Sequence, residues 1–439
     1  MTVYGDIPGV RIETSTGTLS GVTIGTESIL TLVGVGEIGG SAPVNEAVQV
    51  SDRAELTNTF SDDTDLSVAF DQATANGANT DFLYAVKAST SSETETSDNV
   101  NEKTLSDIPV PNKENITVTE TTGSTELDLE FRYEDTVPVP EDTSTVYLNP
   151  TTGAFEDDVA DTIEFEYNTV DWTSAIDAAA DAFEEGQFGI IQSLTSEEEA
   201  GTALTSTLDT MRNDELKMAV GIIGADPNKT VLDEHPGYDT TDIEASFDDD
   251  TLFSVAGASL ADRTPNQPGF GTDVLGAVGG LFAGNSNTDP VYDDTLVGVG
   301  RLAQRFSRAD VTGLRDGRII PLRDTGTVRV ADNRSTYKSE AEPDWERDFF
   351  RRRVVDLVTV TVYRIARRQI GGILDSDTVD DVEDAVGVEL AELVDDGLLE
   401  AGGQNVTAFR DDDRTIGLDL EISPLGVAKS ADVSLEVIA

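Results

Sequence analysis

Apolar runs of strand length alternate with helical stretches through much of the chain, and this rhythm limits the possible folds more than any other feature. The predicted strands are residues 28–35, 82–86, 188–191, 219–223 and 252–255. The predicted helices are residues 52–60, 64–76, a stripe from Trp172 to Phe183, about 197–212 and about 272–283. Continuous apolar runs are typical of strands that are buried on both faces. Strands separated by helices therefore predict a sheet with helical crossovers.

A polar stretch interrupts this rhythm after the second strand. Residues 89–98 read STSSETETSD, a low-complexity composition that predicts a linker. Beyond it, up to about residue 168, apolar side chains occupy every second position, as in strands with one buried face. These side chains are Leu127, Leu129, Phe131 and Tyr133, followed by Ile163, Phe165 and Tyr167. We interpret this segment as a small β domain inserted into the core.

The N-terminal segment, residues 1–25, is short, extended and rich in Gly and Thr. Its main apolar residues are Val10, Ile12, Val22 and Ile24. A segment of this kind cannot bury a core by itself, because it has too few apolar side chains to offset the entropy of ordering its backbone. We therefore interpret it as an extended N-terminal arm.

The last hundred residues form a separate unit. Asp344 is a candidate cap for a long helix reaching Ile365, although the alternation in VTVTV within it also permits a strand. A clearer amphipathic helix follows and ends at Gly397. Two strands are predicted to close the chain, Ile416–Ile422 and Ala431–Ile438. In the final strand Val433, Leu435 and Val437 alternate with polar residues.

Together these segments predict a multidomain chain of the α/β and α+β classes, with an α/β core, an inserted small β domain and extended N- and C-terminal strand arms. The predicted divisions are an N-terminal arm at 1–25, the first part of the core at 26–88, the inserted β-rich domain at 89–168, an α/β domain at 169–343, and a C-terminal domain with its terminal strand arm at 344–439.

Acidic residues dominate the charge of the chain. There are 85 Asp and Glu against 29 Lys and Arg, a net charge of −56, while 38% of residues are hydrophobic. The apolar content is enough for real cores, so bulk disorder is excluded. Like-charge repulsion of this size favours a molar-salt environment, where charges are screened within about 3 Å. We therefore expect the cytoplasm of a halophilic archaeon, and neither nucleic acid nor membrane insertion is expected, since both phosphate and an anionic membrane would repel the surface.

One part of the chain is basic instead. Residues 301–370 hold 16 Lys and Arg against 10 Asp and Glu, a net of +6. This basic island has two interpretations. It is a contact surface for an acidic partner, or its arginines pair with the protein's own carboxylates.

Motifs for catalysis and cofactor binding are few. The chain has no Cys and one His, which excludes thiolate chemistry and makes histidine-based chemistry improbable. Residues 34–39 match G-x-G-x-x-G after a strand, but Gly40 and Pro43 follow where a nucleotide site needs a helix to begin. We interpret the motif as a Gly-rich turn. No catalytic residue, metal site or cofactor is predicted.

A hydrolase remains as an interpretation from a different class. Ser259 lies in Gly257-Ala258-Ser259-Leu260-Ala261 after a strand, a sequence like a nucleophile elbow that lacks the second Gly. His235 lies in a turn-like DEHPG segment. A halophilic α/β hydrolase would use these two residues with an acidic partner.

The two ends of the chain carry a family resemblance. Ile7-Pro8-Gly9-Val10-Arg11-Ile12-Glu13 resembles the P-G-V-Y-x-E-E start of contractile tail sheath proteins, with Arg11 in place of the usual aromatic residue. Leu32-Val33-Gly34 followed by Gly40-Ser41-Ala42-Pro43-Val44 is similar to the strand and turn that come next in that family. The helix with Trp345 and Arg351, Arg352 and Arg353, followed by a second helix and two strands, resembles the family's C-terminal unit. The middle of the chain resembles it by topology alone.

The resemblance implies a structural protein. Sheath protomers stack as hexameric rings around an inner tail tube, and the sheath contracts to drive the tube through the host envelope, with no cofactor. Their terminal arms add strands to sheets of neighbouring protomers. In this chain the arm residues would be Val10, Ile12, Val22, Ile24, Val433, Leu435 and Val437.

The resemblance also implies partners and a location. The partners are other copies of the chain, the tube protein, and baseplate and tail terminator proteins, in a virion tail assembled in the host cytoplasm. Arg353 and Arg364 are eleven residues, or three turns, apart and so share a helix face that would grip an acidic tube. The tube-facing candidates are Arg351, Arg352, Arg353, Arg364, Arg367 and Arg368. The sheath of a non-viral contractile injection system is the alternative within the same class.

Overall fold

Two units make up the chain in the computed structural model, each assembled from segments far apart in sequence. We call residues 26–284 and 293–340 the core unit, and residues 1–25, 285–292 and 341–439 the terminal unit. The structure describes residues 2–7, 10–14, 28–97, 103–133, 137–159, 162–226, 245–261, 272–285, 291–303, 305–338, 348–369, 376–402, 404–410 and 416–423.

The secondary structure of the described residues is as follows. The strands are β1 Thr2–Ile7, β2 Val10–Thr14, β3 Ile29–Gly34, β4 Val48–Gln49, β5 Leu83–Lys87, β6 Ser89–Ser97, β7 Thr117–Glu120, β8 Thr125–Glu126, β9 Asp128–Phe131, β10 Thr145–Leu148, β11 Phe155–Asp157, β12 Ile163–Asp171, β13 Phe188–Ser193, β14 Met218–Gly224, β15 Leu252–Ala256, β16 Asp294–Thr295, β17 Ile320–Asp324, β18 Val328–Val330, β19 Asn405–Arg410 and β20 Ile416–Glu421. The helices are α1 Arg53–Phe60, α2 Asp65–Ala75, α3 Trp172–Ala180, α4 Glu198–Asn213, α5 Leu275–Gly284, α6 Arg308–Asp316, α7 Phe349–Gln369 and α8 Ser376–Asp395.

A nine-stranded sheet organises the core unit, in the order β16-β18-β17-β15-β14-β13-β3-β5-β4. The six strands from β17 to β5 are parallel, and antiparallel strands occupy both edges. Every residue of β3, β13, β14 and β15 is buried. The predicted sheet with helical crossovers is therefore present, and its apolar strands are buried because helices cover both faces.

Alternate side chains of β13 show these two faces. Ile191 packs in one cluster with Trp172 and Ile176 of α3 and with Leu204 and Leu208 of α4. The next residue, Gln192, donates from Nε2 to the Leu275 carbonyl of α5 on the other side. Since successive side chains of a strand point to opposite faces, α3 and α4 cover one face and α5 covers the other.

Helices α2 and α5 approach each other closely through small residues. A Cβ added to Gly280 would lie 2.5 Å from the Ala73 Cα, and one added to Gly284 would lie 2.6 Å from the Gly77 carbonyl carbon. Glycine is required at these positions because any side chain would overlap the facing backbone. The Gly-rich composition that the sequence shows at 272–283 thus has a packing cause.

The β-rich segment between β5 and α3 contains two sheets, β6-β12-β7-β8 and β11-β10-β9. Their shared core includes Phe131, Phe155, Phe165 and Tyr167. The prediction of a linker at 89–98 is wrong, because residues 89–97 form β6, which pairs with β12 from Ser89↔Asp171 to Ser97↔Ile163. The polar side chains of β6 suit an edge strand, and β12 supplies the apolar face that β6 lacks.

The terminal unit contains a four-stranded sheet in the order β1-β2-β20-β19, with α7 against β2 and α8 against β19. The VTVTV segment is helical within α7, so the alternative of a strand is wrong. Asp348 caps this helix by accepting from the Phe350 N–H at 3.0 Å and the Arg351 N–H at 3.3 Å. The predicted cap, Asp344, lies outside the described residues, as do the predicted strand at 431–438 and its three apolar residues. Within the part of the chain that the structure describes, no helix is both long and apolar enough to cross a membrane.

Candidate assembly interface

Strands from opposite ends of the sequence meet in the terminal unit. β1 and β2 form an antiparallel hairpin, with Thr2 opposite Thr14. β2 then runs parallel to β20, with Val10 opposite Ile416 and Ile12 opposite Leu418. Two of the predicted arm residues therefore lie in a strand that extends the C-terminal sheet of its own chain. Val22 and Ile24 lie outside the described residues.

The other edge of this sheet is β19, which the sequence did not predict. β19 pairs antiparallel with β20 from Asn405↔Glu421 to Arg410↔Ile416. The Ala408 N–H, however, donates to Oε2 of Glu383 on α8 at 2.7 Å. Phe409 is exposed, and its ring lies over Gly417, where an added Cβ would overlap it. The polar and apolar alternation in 405–408 (N-V-T-A) is the signal that could have identified β19.

Helix α7 does not present all its arginines in the way the sequence predicts. All nine residues from 352 to 360 are buried, so this half of the helix is enclosed on every side. Arg352 Nε lies 3.3 Å from Asp356 Oδ1, and the Arg353 guanidinium lies 5.5 Å from the centroid of the Phe349 ring. Burial lowers the pKa of Arg353 to about 10, and the Asp356 charge opposes this shift. The expectation that Arg352 and Arg353 project from the helix is therefore not met.

The remaining arginines of this helix differ from these two. Arg364 is exposed and Arg351 is half-buried, whereas the side chains of Arg367 and Arg368 lie outside the described residues. Arg353 and Arg364 share a helix face but not an environment, because the packing around α7 changes along its length. Their contact with a tube remains a prediction.

Many arginines of the basic island pair inside the core unit. Asp332 is completely buried and contacts both Arg315 and Arg334, the latter at 3.4 Å. Asp293 accepts from Arg329 at 3.2 Å and lies 3.6 Å from Arg323. The interpretation of internal pairing therefore holds for these four arginines, all on or beside α6, β17 and β18.

The Gly-rich motif after β3 is occupied by the protein itself. The Asp65 carboxylate at the start of α2 accepts from the N–H groups of Val35 and Gly36, both at 2.7 Å. A Cβ on Gly34 would lie 2.5 Å from Asp65 Oδ2. Burial raises the pKa of Asp65, and the bonds from Val35 and Gly36 oppose that shift. A nucleotide phosphate would need these same N–H groups, so the motif ties β3 to α2 and is a turn.

Of the two candidate hydrolase residues, the structure describes Ser259 alone. Ser259 is 4% exposed, and its carbonyl accepts from the Ala303 N–H at 2.9 Å. His235 lies outside the described residues. A nucleophile elbow requires an exposed hydroxyl at the top of the sheet, which Ser259 does not provide. In the described ranges no group of three or more His, Asp and Glu side chains is placed to hold a metal ion.

One buried carboxylate, which the sequence did not single out, lies just beyond the end of β13. Glu197, at the start of α4, accepts from Trp172 Nε1 at 2.8 Å and from Thr195 Oγ1 at 3.3 Å. Burial raises its pKa to about 7, against the lowering effect of these two bonds. It joins α3 to α4 across the sheet edge, where the carboxyl ends of parallel strands often hold ligands. In this chain the Glu197 carboxylate is bound by the indole of Trp172.

The whole chain has the fold of contractile sheath proteins. A sheath tail protein from Listeria innocua is 13% identical, with a TM-score of 0.55 over 92% of this chain and 94% of its own. The sheath of the anti-feeding prophage in its contracted state is 12% identical, with a TM-score of 0.56 over 98% and 99%. A sheath tail protein from Desulfitobacterium hafniense is 14% identical, with a TM-score of 0.54 over 95% and 100%. No protein-family model matches the sequence, and no curated protein is similar to it.

Proposed function

We propose that this chain is the structural protomer of a contractile sheath and not an enzyme. The observation that carries the proposal is the sheet that joins β2, at residues 10–14, to β20, at residues 416–421, within a fold that matches sheath proteins over more than nine-tenths of the chain. A strand that pairs with a sheet through main-chain bonds can be exchanged for the same strand of another copy, since the bonds are identical. Exchange of this kind would link protomers into hexameric rings and a helical lattice.

The mechanism requires mechanical coupling and no bond chemistry. Contraction would be a rigid-body rotation of protomers from a metastable to a lower-energy packing, with the terminal strands as the links that survive it. The inner partner would be an acidic tube protein, contacted by Arg351, Arg364, Arg367 and Arg368, and the ends of the sheath would meet baseplate and tail terminator proteins. At molar salt such contacts act at short range.

The charge of −56 supports a halophilic source, and with it a virus of a halophilic archaeon whose tail is assembled in the host cytoplasm and serves genome ejection. An injection device has protomers of the same physical kind, and the anti-feeding prophage sheath shares the fold. The hydrolase interpretation is not favoured, because Ser259 is buried and the matched fold is that of structural proteins.

The proposal predicts salt-dependent self-assembly. The purified full-length chain should form tubes or ring stacks with six-fold symmetry in molar salt, and these should dissociate at low salt because the repulsion between acidic protomers is no longer screened. Negative-stain microscopy and light scattering across a salt series measure this. A monodisperse monomer at every salt concentration would overturn the proposal.

A further inference from the structure

A cavity of about 100 Å³ lies in the core unit at the carboxyl end of β14. Its wall includes Gly224 at the end of that strand and Ser196 and Glu198 at the start of α4. Thr151 and Thr152, from the turn between β10 and β11, complete the wall on another side. The volume is that of roughly three water molecules. The cavity therefore lies where the inserted β domain meets the nine-stranded sheet.

One buried hydroxyl faces this cavity from a central strand. Ser254 of β15 lines the cavity and is 3% exposed, and no described residue hydrogen-bonds to its hydroxyl. Leu252 and Ala256, two residues away on either side, point to the same face of the sheet and pack in apolar clusters. A buried hydroxyl without a hydrogen bond costs free energy. A serine between two apolar side chains at this place therefore points to a bound partner in the cavity.

The side chains around the cavity offer oxygen atoms and no positive charge. Besides Ser254, they include the hydroxyls of Ser196 and Thr151 and the carboxylates of Glu198 and Asp226. Among the described residues that line the cavity, none is Lys, Arg or His. Oxygen ligands of this kind suit hard cations. Two carboxylates balance the charge of a divalent ion.

The orientation of Thr151 also favours a cation over an anion. Its Oγ1 donates to Asn149 Oδ1 at 2.8 Å, so the hydroxyl proton is directed at Asn149 and the lone pairs of Oγ1 remain as acceptors. Glu198 and Glu199 lie in the first turn of α4 and offset the positive end of its helix dipole. An anion in the cavity would meet these carboxylates without a cationic side chain to bind it.

We propose that this cavity binds one divalent hard cation, Ca²⁺ or Mg²⁺, together with water that completes its coordination. Asp226 and Glu198 supply the negative charge, and the hydroxyl oxygens of Ser254, Ser196 and Thr151 supply neutral ligands. Thr151 belongs to the inserted β domain and the other four residues to the α/β part of the core unit, so the ion ties these two parts together. The site uses no residue of the terminal unit, and it is independent of the proposed sheath function.

Binding is measured on the full-length chain after treatment with a chelator, in molar KCl that screens the acidic surface. Calorimetric titration with CaCl₂, and separately with MgCl₂, should show one saturable site per chain, and the tighter of the two ions is the one that the site selects. Asp226→Asn should weaken binding about tenfold or more. Asp209→Asn removes the same charge from an exposed position of α4 and should leave binding unchanged. The absence of a saturable site for both ions, or equal affinity in all three proteins, would overturn the proposal.

Ser254→Ala gives a second readout that a purely structural serine would not produce. Without divalent cation, the variant should unfold at the same or a higher temperature than the unmodified chain, because a buried hydroxyl without a partner has been removed. With saturating cation the order should reverse, because the unmodified chain gains more stability from the bound ion. The same order of unfolding temperatures under both conditions would overturn the proposal.

Hydrogen exchange tests the link between the two parts of the core unit. Amide exchange of the peptide covering 149–153 should slow by roughly threefold or more when the cation is added to the unmodified chain, because the turn is then held against the sheet. The Ser254→Ala variant should show a smaller change at the same cation concentration. Exchange in this peptide that does not respond to the cation would overturn the assignment of Thr151 as a ligand and with it the proposed tie.

Discussion

At the scale of single residues, the informative groups are charges that the fold has removed from solvent. Most of the chain's carboxylates lie on a salt-screened surface, where each one has little individual effect. Glu197, Arg352 and Asp356 are different, because they are buried and their interactions are not screened by molar salt. Substitutions at these positions should therefore change stability in ways that salt does not mask.

Glu197 should make the stability of the protein depend on pH. Its pKa is about 7 in the folded chain against 4.5 without the fold, so the unfolded state releases this proton first as pH rises. The free energy of unfolding therefore falls between about pH 4.5 and 7, by about 3 kcal/mol at most. The contribution of Glu197 stays level above about pH 7. Glu197→Gln keeps an oxygen for Trp172 Nε1 and removes the charge. Denaturant unfolding should show the variant more stable at pH 8, with the gain disappearing towards pH 4.5; a gain independent of pH would contradict the assignment.

Replacing Arg352 should lower stability far more than replacing an exposed arginine of the same helix. The side chains of Arg352 and Asp356 are 1% and 2% exposed, so Arg352→Met leaves a buried carboxylate short of its partner, at a cost of about 3 kcal/mol. Arg364→Ala, at an exposed position, should change stability by less than about 0.5 kcal/mol. The double variant Arg352→Met, Asp356→Leu should recover most of the loss. Thermal unfolding in molar salt measures all three, and equal losses at 352 and 364 would show that the pair is not buried in solution.

At the scale of elements, the contact between α2 and α5 depends on the absence of side chains. Small residues at every fourth position on both helices let the two backbones approach, and α5 in turn contacts Gln192 of β13 through Gly279. Glycine thus sets how closely α5 can approach α2 and β13.

Two Gly→Ala substitutions should therefore change the stability of the chain in opposite directions. Gly280→Ala places a methyl group 2.5 Å from the Ala73 Cα and should destabilise the chain by about 2 kcal/mol, since the helices must separate. Gly387→Ala, inside α8, meets only a Val406 methyl at 3.8 Å and should stabilise it by about 0.5–1 kcal/mol through helix propensity. Urea unfolding distinguishes the two. Unchanged stability of Gly280→Ala would contradict the packing described for α2 and α5.

At the scale of the whole molecule, the N-terminal hairpin connects the two ends of a 439-residue chain. Removing residues 1–14 would leave β20 with one open edge, which a strand supplied by another molecule could fill. The same substitution of one strand for another underlies the proposed linkage between protomers.

A peptide of residues 1–14 should bind the truncated chain in trans. We expect labelled peptide to bind the chain lacking residues 1–14, because the β20 edge is then free, and to bind the full-length protomer at least tenfold more weakly, because β2 already occupies that edge. Fluorescence anisotropy at molar salt measures both affinities. A peptide with Val10 and Ile12 replaced by proline is the matched control and should not bind. Equal binding to the full-length and truncated chains would show that β2 does not hold the edge in solution.

Local patterns alone determined the alternation of strands and helices in the core unit. The predicted strand 28–35 is β3 at 29–34 and the predicted helix 64–76 is α2 at 65–75, because apolar period and capping residues act within a few positions. The Gly-rich turn after β3 was predictable for the same reason. The family resemblance and the fold agree as well.

Which elements pair or pack with one another was decided only by the tertiary structure. The polar β6 has no apolar stripe of its own and is a strand because β12 lies beside it. Arg352 is buried although it stands among arginines, because other elements enclose α7. The pairing of β2 with β20 and the bond from Ala408 to Glu383 join residues about 400 and 25 positions apart. The spacing of apolar residues in the sequence indicates which face of an element is apolar. Hydrogen bonding and burial depend instead on the elements that pack against it, and these are brought together only in the folded chain.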